Sequence, residues 1–241
     1  MLDRVTKFLR LLRHPLYRKG LRHGIAAAIE HEQALRRLSI ASIIDVGANK
    51  GQFALLARAL FPEAIIHAFE PIDEEAARLA SFFDGDRALT LHRLALGEDT
   101  GSATINISAR ADSSSMLPIT PLQERIFPGT ALIARRTIAM ARGDDVLRDT
   151  DFERPLMIKL DVQGYELCAL RGLRDTLAEA DFVQVEVSFV ALYQGQPLAD
   201  EVVAFLRLHR FRLADIYNLK SGPKGTAIQA DMLFERMPAW N

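Results

Sequence analysis

From about residue 40 the chain alternates short apolar, largely β-branched runs with segments whose apolar positions recur at helical spacing. That alternation predicts a mostly parallel sheet covered by helices. Residues 42–46 (Ser-Ile-Ile-Asp-Val) read as a first strand and 51–60 as a helix, with Phe53, Leu56, Ala57 and Leu60 on one face. Further strands are expected at 64–69, 89–94, 155–161 and 182–188, and helices at 73–82, 165–178 and 200–208. Two last strands, 211–217 and 227–234, flank a turn-rich stretch at 220–225. That connection is too short for a parallel crossover, so it predicts an antiparallel hairpin. The stretch 97–151 is much longer than an ordinary connection. With strand-like pieces at 103–107 and 136–140, it reads either as a lid or as a β-extension of the sheet edge.

Polar residues interrupt this pattern in two places. The first strand runs into Asp45-Val46-Gly47-Ala48-Asn49-Lys50-Gly51-Gln52 and then directly into a helix. A glycine turn there lets a ligand touch backbone, and the helix start offers free N–H groups to an anion. Glu70 ends the second strand, 25 positions after Asp45. A carboxylate at that place can accept hydrogen bonds from both hydroxyls of a ribose. Together the two features point to a nucleoside cofactor. The spacing Gly-x-x-x-Gly is not that of dinucleotide binders, which disfavours a dehydrogenase.

The second interruption lies further on. Lys159 and Asp161 are two apart and share a face of their strand. The strand at 182–188 alternates valines with Gln184, Glu186 and Ser188, although a central strand should be apolar on both faces. Asp231 falls inside the apolar last strand, and Glu166 opens the helix after Asp161. Tyr193 follows the 182–188 strand and reads as a pocket wall or as loop packing, while His67 and His92 read as core imidazoles.

Composition adds less. Hydrophobic residues make up 49% and charged residues 25%, as in an ordinary globular chain, and one cysteine excludes a disulfide scaffold. No apolar run approaches the length of a membrane span, and Arg10 and Arg13 interrupt any signal-like segment, so a cytoplasmic setting is expected. The net charge of −1 argues against a nucleic-acid partner but hides an asymmetry. Residues 1–24 carry seven basic side chains against Asp3 alone, a surplus of six, which leaves the remainder at −7. Leu2, Val5, Leu9 and Leu12 recur there at helical spacing until Pro15. Such a basic helix suits peripheral membrane contact through residues 1–20, packing on the domain, or dimerisation. Oligomeric state is not readable.

Ile44 to Phe53, then Ala68-Phe69-Glu70-Pro71, then Leu94-Ala95-Leu96-Gly97 resemble the FkbM family of S-adenosylmethionine-dependent methyltransferases. Lys159-Leu160-Asp161-Val162-Gln163-Gly164-Tyr165-Glu166, Val185-Glu186-Val187-Ser188 and Asp231-Met232-Leu233-Phe234 continue the resemblance in the same order. Lys50 departs from the small or aliphatic residue usual at its position. The resemblance implies an α/β, class I (Rossmann-like) methyltransferase fold: a seven-stranded, mostly parallel sheet with an antiparallel C-terminal hairpin over 40–241, preceded by a basic helical extension at 1–39. It implies S-adenosylmethionine as cofactor and O-methylation of a sugar, glycolipid, polysaccharide or related metabolite. A catalytically silent cofactor-binding scaffold partnering a glycosyltransferase is the alternative.

Carried over by position, Gly47, Ala48, Asn49 and Gly51 face the methionine moiety, Glu70 the ribose, Ala95 and Leu96 the adenine, and Asp161 the sulfonium. Asp45, Gln52, Phe53 and Pro71 complete the cofactor-binding set. For the acidic cluster the resemblance makes Asp161 or Glu186 a general base or acceptor-orienting group, with Lys159 and Glu166 beside them. Two other readings stay open. The carboxylates could ligate a divalent metal, or form a structural network in which Lys159 pairs with Asp161 or Glu186 and Glu166 favours its helix start.

Overall fold

The computed structural model describes residues 4–222 and 225–238. Leu2 of the N-terminal stripe and Pro223 and Lys224 of the hairpin turn lie outside the described residues. The chain begins with three helices, α1 (Arg4–Arg13), α2 (Pro15–Arg22) and α3 (Glu32–Leu35). There follow β1 (Ser42–Val46), α4 (Gln52–Leu60), β2 (Ile65–Phe69), α5 (Asp73–Phe82) and β3 (Leu89–His92). Next come β4 (Ala95–Leu96), β5 (Gly101–Ser108), α6 (Pro121–Ile126), β6 (Leu132–Ala141) and α7 (Gly143–Val146). The last part holds β7 (Leu156–Leu160), α8 (Glu166–Arg171), α9 (Arg174–Glu179), β8 (Phe182–Ser188), α10 (Ala199–Leu208), β9 (Phe211–Ser221) and β10 (Ala227–Arg236).

Among the described residues the main sheet has seven strands in the order β3-β2-β1-β7-β8-β10-β9. All pairs from β3 to β8 are parallel, and β10 runs antiparallel to both β8 and β9. The expected hairpin is therefore present, with its second strand inserted beside β8. Strand periodicity divides the core into two layers. Ile43 and Ile66 face a layer with Leu55, Leu56 and Leu79, whereas Ile44, Ile158 and Val185 face one with Leu170, Leu173 and Val202. The N-terminal helices belong to the first layer, because Leu11, Tyr17, Ile25, Ile29 and Leu35 pack against α4.

Three expectations need correction. The strand expected at 89–94 ends at His92, and the chain starts a different sheet at Ala95. The long insertion does not extend the main sheet edge: β6 pairs with β4 on one side and β5 on the other in a separate three-stranded sheet. Its own apolar side, Ile105, Ile107 and Ile138, closes on Ile72 and Ala95, so it needs no edge to bury itself. The helix expected at 165–178 is broken after Arg171. Gly172 lies so near the turn after β4 that a Cβ there would stand 1.9 Å from the Gly97 carbonyl oxygen. A continuous helix with a larger residue has no room at that crossing.

Strand order in the sheet reverses between β1 and β7, and their carboxyl ends open into a crevice. In α/β sheets this is where ligands bind.

Candidate active site

The crevice is a cavity of about 940 Å³. One wall is the loop after β1, which Gly47 (φ 78°), Asn49 (φ 49°) and Gly51 (φ 92°) turn through left-handed backbone. Gly47 and Ala48 N–H donate to the Phe69 carbonyl, at 3.1 and 3.0 Å, so the loop rests on the end of β2. Its other side rests on β7: a Cβ on Gly47 would meet the Asp161 carbonyl oxygen at 2.0 Å. A Gly47→Ala protein should therefore be destabilised by left-handed strain and by collision. At Gly85 (φ 81°), nothing lies within 4 Å of an added Cβ, so Gly85→Ala carries the strain alone. Denaturant unfolding should show Gly47→Ala less stable than Gly85→Ala by about 1–3 kcal/mol, the usual cost of overpacking. Equal losses would mean that the loop is free to move away.

Glu70 is buried at the end of β2. Its Oε2 accepts the Asn49 N–H at 2.7 Å and its Oε1 the Ile72 N–H at 2.8 Å. Burial pushes this carboxyl up to about 7, against the pull of those two donors. Phe69, Pro71, Ile72, Leu94, Ala95 and Leu96 form an apolar slot beside it. Ala48, Asn49, Gln52 and Phe53 line the same space, whereas Asp45 and Gly51 stand behind the wall.

Lys159 is 3% exposed and lies 2.9 Å from Asp45 Oδ1, donating also to the Gly47 carbonyl at 3.1 Å. The pairing expected with Asp161 or Glu186 is not formed. Asp45 and Lys159 are partners in the parallel register of β1 and β7, so their side chains emerge side by side. Burial alone would lower the lysine pKa, but the adjacent Asp45 carboxylate and then Asp161 hold it above its ordinary value. The ammonium sits 5.5 Å from the Phe53 ring centroid and ties the glycine loop to the sheet.

Asp161, Glu186 and Asp231 do line one cavity. Glu186 and Asp231 are register partners across β8 and β10, and Tyr217 is the next partner on β9. The bridge between Asp161 and Glu186 is Gln163, whose Nε2 lies 2.7 Å from Asp161 Oδ1 and 2.9 Å from Glu186 Oε2. Its left-handed backbone (φ 53°) belongs to the sharp turn that carries it there. Burial first, and the Asp161 charge second, push the Glu186 carboxyl up to about 8. Gln229 donates to Glu186 at 3.2 Å, and Lys220 stands 3.7 Å away. Asp231 is engaged by Gln184 at 2.9 Å and Asn218 at 2.7 Å. Glu166 points elsewhere. Its Oε1 accepts the Val162 and Gly164 N–H groups, at 3.1 and 3.0 Å, and closes the turn that presents Gln163.

Sequence reasoning missed several residues here. His31 is buried in the cavity wall, 3.2 Å from the Tyr217 hydroxyl and 3.8 Å from Asp231. Ala28, Ala34 and Arg37 join it, and Ala28 N–H donates to the Gln52 carbonyl at 3.1 Å, so the N-terminal segment continues the chamber wall beside the end of the glycine loop. Residues 215–218 and Lys220 of β9 close the side. Of the long insertion, Ile105, residues 110–116, Gln123 and Phe127 reach the cavity. Tyr193 is fully buried and does not line it; its hydroxyl lies 2.9 Å from Gln163 Oε1. His67 and His92 face each other at 3.2 Å away from the cavity, and burial lowers both, His92 to about 4. Among the described residues no group of three or more His, Cys, Asp or Glu side chains is arranged to hold a metal ion.

A reversed-order parallel sheet, a glycine loop, an acidic strand end and an antiparallel last strand define the class I, Rossmann-like methyltransferase fold. Residues 45–213 match the methyltransferase FkbM domain, and the chain belongs to that family. It is 28% identical over 144 residues to the hexuronic acid methyltransferase AglP of Haloferax volcanii, covering 59% of this chain and 54% of the relative. The chain thus spans about half the length of that relative. It is 26% identical over 190 residues to the 2-O-methyltransferase NoeI of Sinorhizobium fredii, covering 75% of this chain and 77% of the relative. A solved rRNA-methylase-like structure from Clostridium thermocellum shares the fold at a TM-score of 0.51 and 9% identity, over 90% of this chain and 99% of that one.

Proposed function

We propose that this protein is an S-adenosylmethionine-dependent O-methyltransferase acting on a sugar hydroxyl. The observation that carries this reading is the shared cavity: the Asp161–Gln163–Glu186 row opens into the same space as the glycine loop and Glu70. The sugar comes from the relatives, one named for a hexuronic acid and one for a 2-O position.

The residues fit the cofactor. Glu70 has lone pairs beyond those used by Asn49 and Ile72 to accept two ribose hydroxyl protons, and the apolar side chains from Phe69 to Leu96 beside it suit a purine ring. When bound, S-adenosylmethionine supplies an electrophilic methyl group to a nucleophile approaching in line. The chain's own part is to hold the acceptor and remove its proton. Holding reactants in position can supply about 7–11 kcal/mol of a barrier, and a general base about 10²–10⁴-fold in rate. Glu186 is assigned the base: its raised pKa suits proton uptake near neutrality, and Gln163 and Gln229 fix the oxygen that is not receiving the proton. Lys159 holds the glycine loop in register with the end of β7.

The reading is tested by transfer of a labelled methyl group to free and conjugated uronic acids and neutral hexoses, with NMR of the product for an O-methyl resonance. Calorimetry with S-adenosylhomocysteine forms a second arm. Because Glu70 must be ionised to accept both hydroxyls, affinity should rise about tenfold from pH 6 to about pH 8, with its midpoint near pH 7, and then level. Absence of both binding and transfer overturns the proposal; binding without transfer to any sugar overturns the acceptor class.

A further inference from the structure

Helix α1 has its apolar side turned outward. Its basic edge faces the body, where Lys7 meets Glu30 and Arg10 meets Glu32, each at 2.6 Å. Of its apolar residues Leu11 enters the core, while Phe8 is 52%, Leu9 53% and Leu12 39% exposed. A helix that served only to pack on the domain would present the opposite arrangement. Exposed cations adjoin it in the chain: Arg13 ends α1, and Arg18, Lys19 and Arg22 lie on α2, Lys19 over the Phe82 ring. Arg18 donates to the Leu12 carbonyl and so lies at the margin of the apolar face.

We propose that this face docks in the plane of an anionic lipid bilayer, with Phe8, Leu9 and Leu12 at the acyl boundary and the α2 cations on the headgroup phosphates. Charge selects this occupant. With Lys7 and Arg10 neutralised by Glu30 and Glu32, the exposed Arg13 and Arg18 would still be brought against their own copies in a dimer, whereas an anionic surface neutralises them. The contact lies on the surface, since no helix among the described residues is long and apolar enough to cross a membrane. Lys7, on the body-facing side of the same helix, also lines the cavity, so docking would leave the cavity one helix diameter, roughly 10 Å, from the membrane surface.

Flotation with phosphatidylcholine vesicles, with and without phosphatidylglycerol, reads this proposal independently of methyl transfer. The full chain should float with the anionic vesicles alone, and less so as salt is raised. Arg13→Gln with Arg18→Gln should weaken binding about fivefold per cation removed. Leu9→Glu with Leu12→Glu should abolish it while leaving the melting temperature unchanged, because both side chains are exposed. The proposal is overturned if no flotation occurs, or if neither the charge of the vesicles nor either pair of substitutions alters it. Sedimentation velocity showing a dimer that Leu9→Glu with Leu12→Glu dissolves would overturn it too, by assigning the face to a second copy.

Discussion

Glu186→Gln should lower turnover by about 10²–10⁴-fold while leaving S-adenosylhomocysteine affinity within a factor of two or so. The substitution removes the proton acceptor and little else: the amide matches the carboxylate in size, and its oxygen can still accept from Gln163 and Gln229. The pH profile separates this role from a merely structural one. With its pKa near 8, Glu186 is mostly protonated at pH 6, so at saturating cofactor wild-type kcat/KM for the acceptor should climb about tenfold per pH unit and level above pH 8. The charged neighbours that shape this titration are Asp161 at the end of β7, Glu166 on α8, Lys220 on β9 and Asp231 on β10, so the inflection belongs to the group as a whole. In Glu186→Gln the residual rate should lose that limb. A limb that persists at pH 8 in the variant would move the base to another residue.

Lys159→Met should cost the most stability of any single change at the site. It leaves Asp45, which is fully buried, without its counter-charge in the sheet interior. Breaking a buried pair from one side typically costs about 3–5 kcal/mol, which for a chain of this size lowers the melting temperature by roughly 6–20 °C. Adding Asp45→Asn should recover part of the loss, since the stranded charge is then gone. An additive double variant would show that the two side chains do not depend on each other.

The parts of the site that were legible in the sequence are those set by local rules. A glycine turn closing one strand and a carboxylate closing the next are placed by strand ends alone, and both line the cavity as expected. Asp161, Glu186 and Asp231 were legible because alternation tells which face a strand residue takes. Lys159 was read against neighbours on its own face, whereas its partner comes from the adjoining strand and is set by register. Gln163 carries no periodicity; its reach between two carboxylates depends on a left-handed turn. His31 sits in irregular chain between α2 and α3, where neither helix nor strand spacing assigns a direction. Of the two readings of the insertion, the edge extension failed because a two-residue strand, β4, is too short to leave a pattern yet founds a second sheet.

The placement of β10 between β8 and β9 has a consequence for how the molecule comes into being. In chain order the glycine loop, Glu70 and β1 through β8 are all synthesised before β10. Until β10 arrives the β8 edge is bare, Glu186 lacks Gln229 and Asp231, and β9 has no strand to join it to the sheet. The residues around Glu70 are thus all made early, whereas the surroundings of Glu186 are complete only with the last strand.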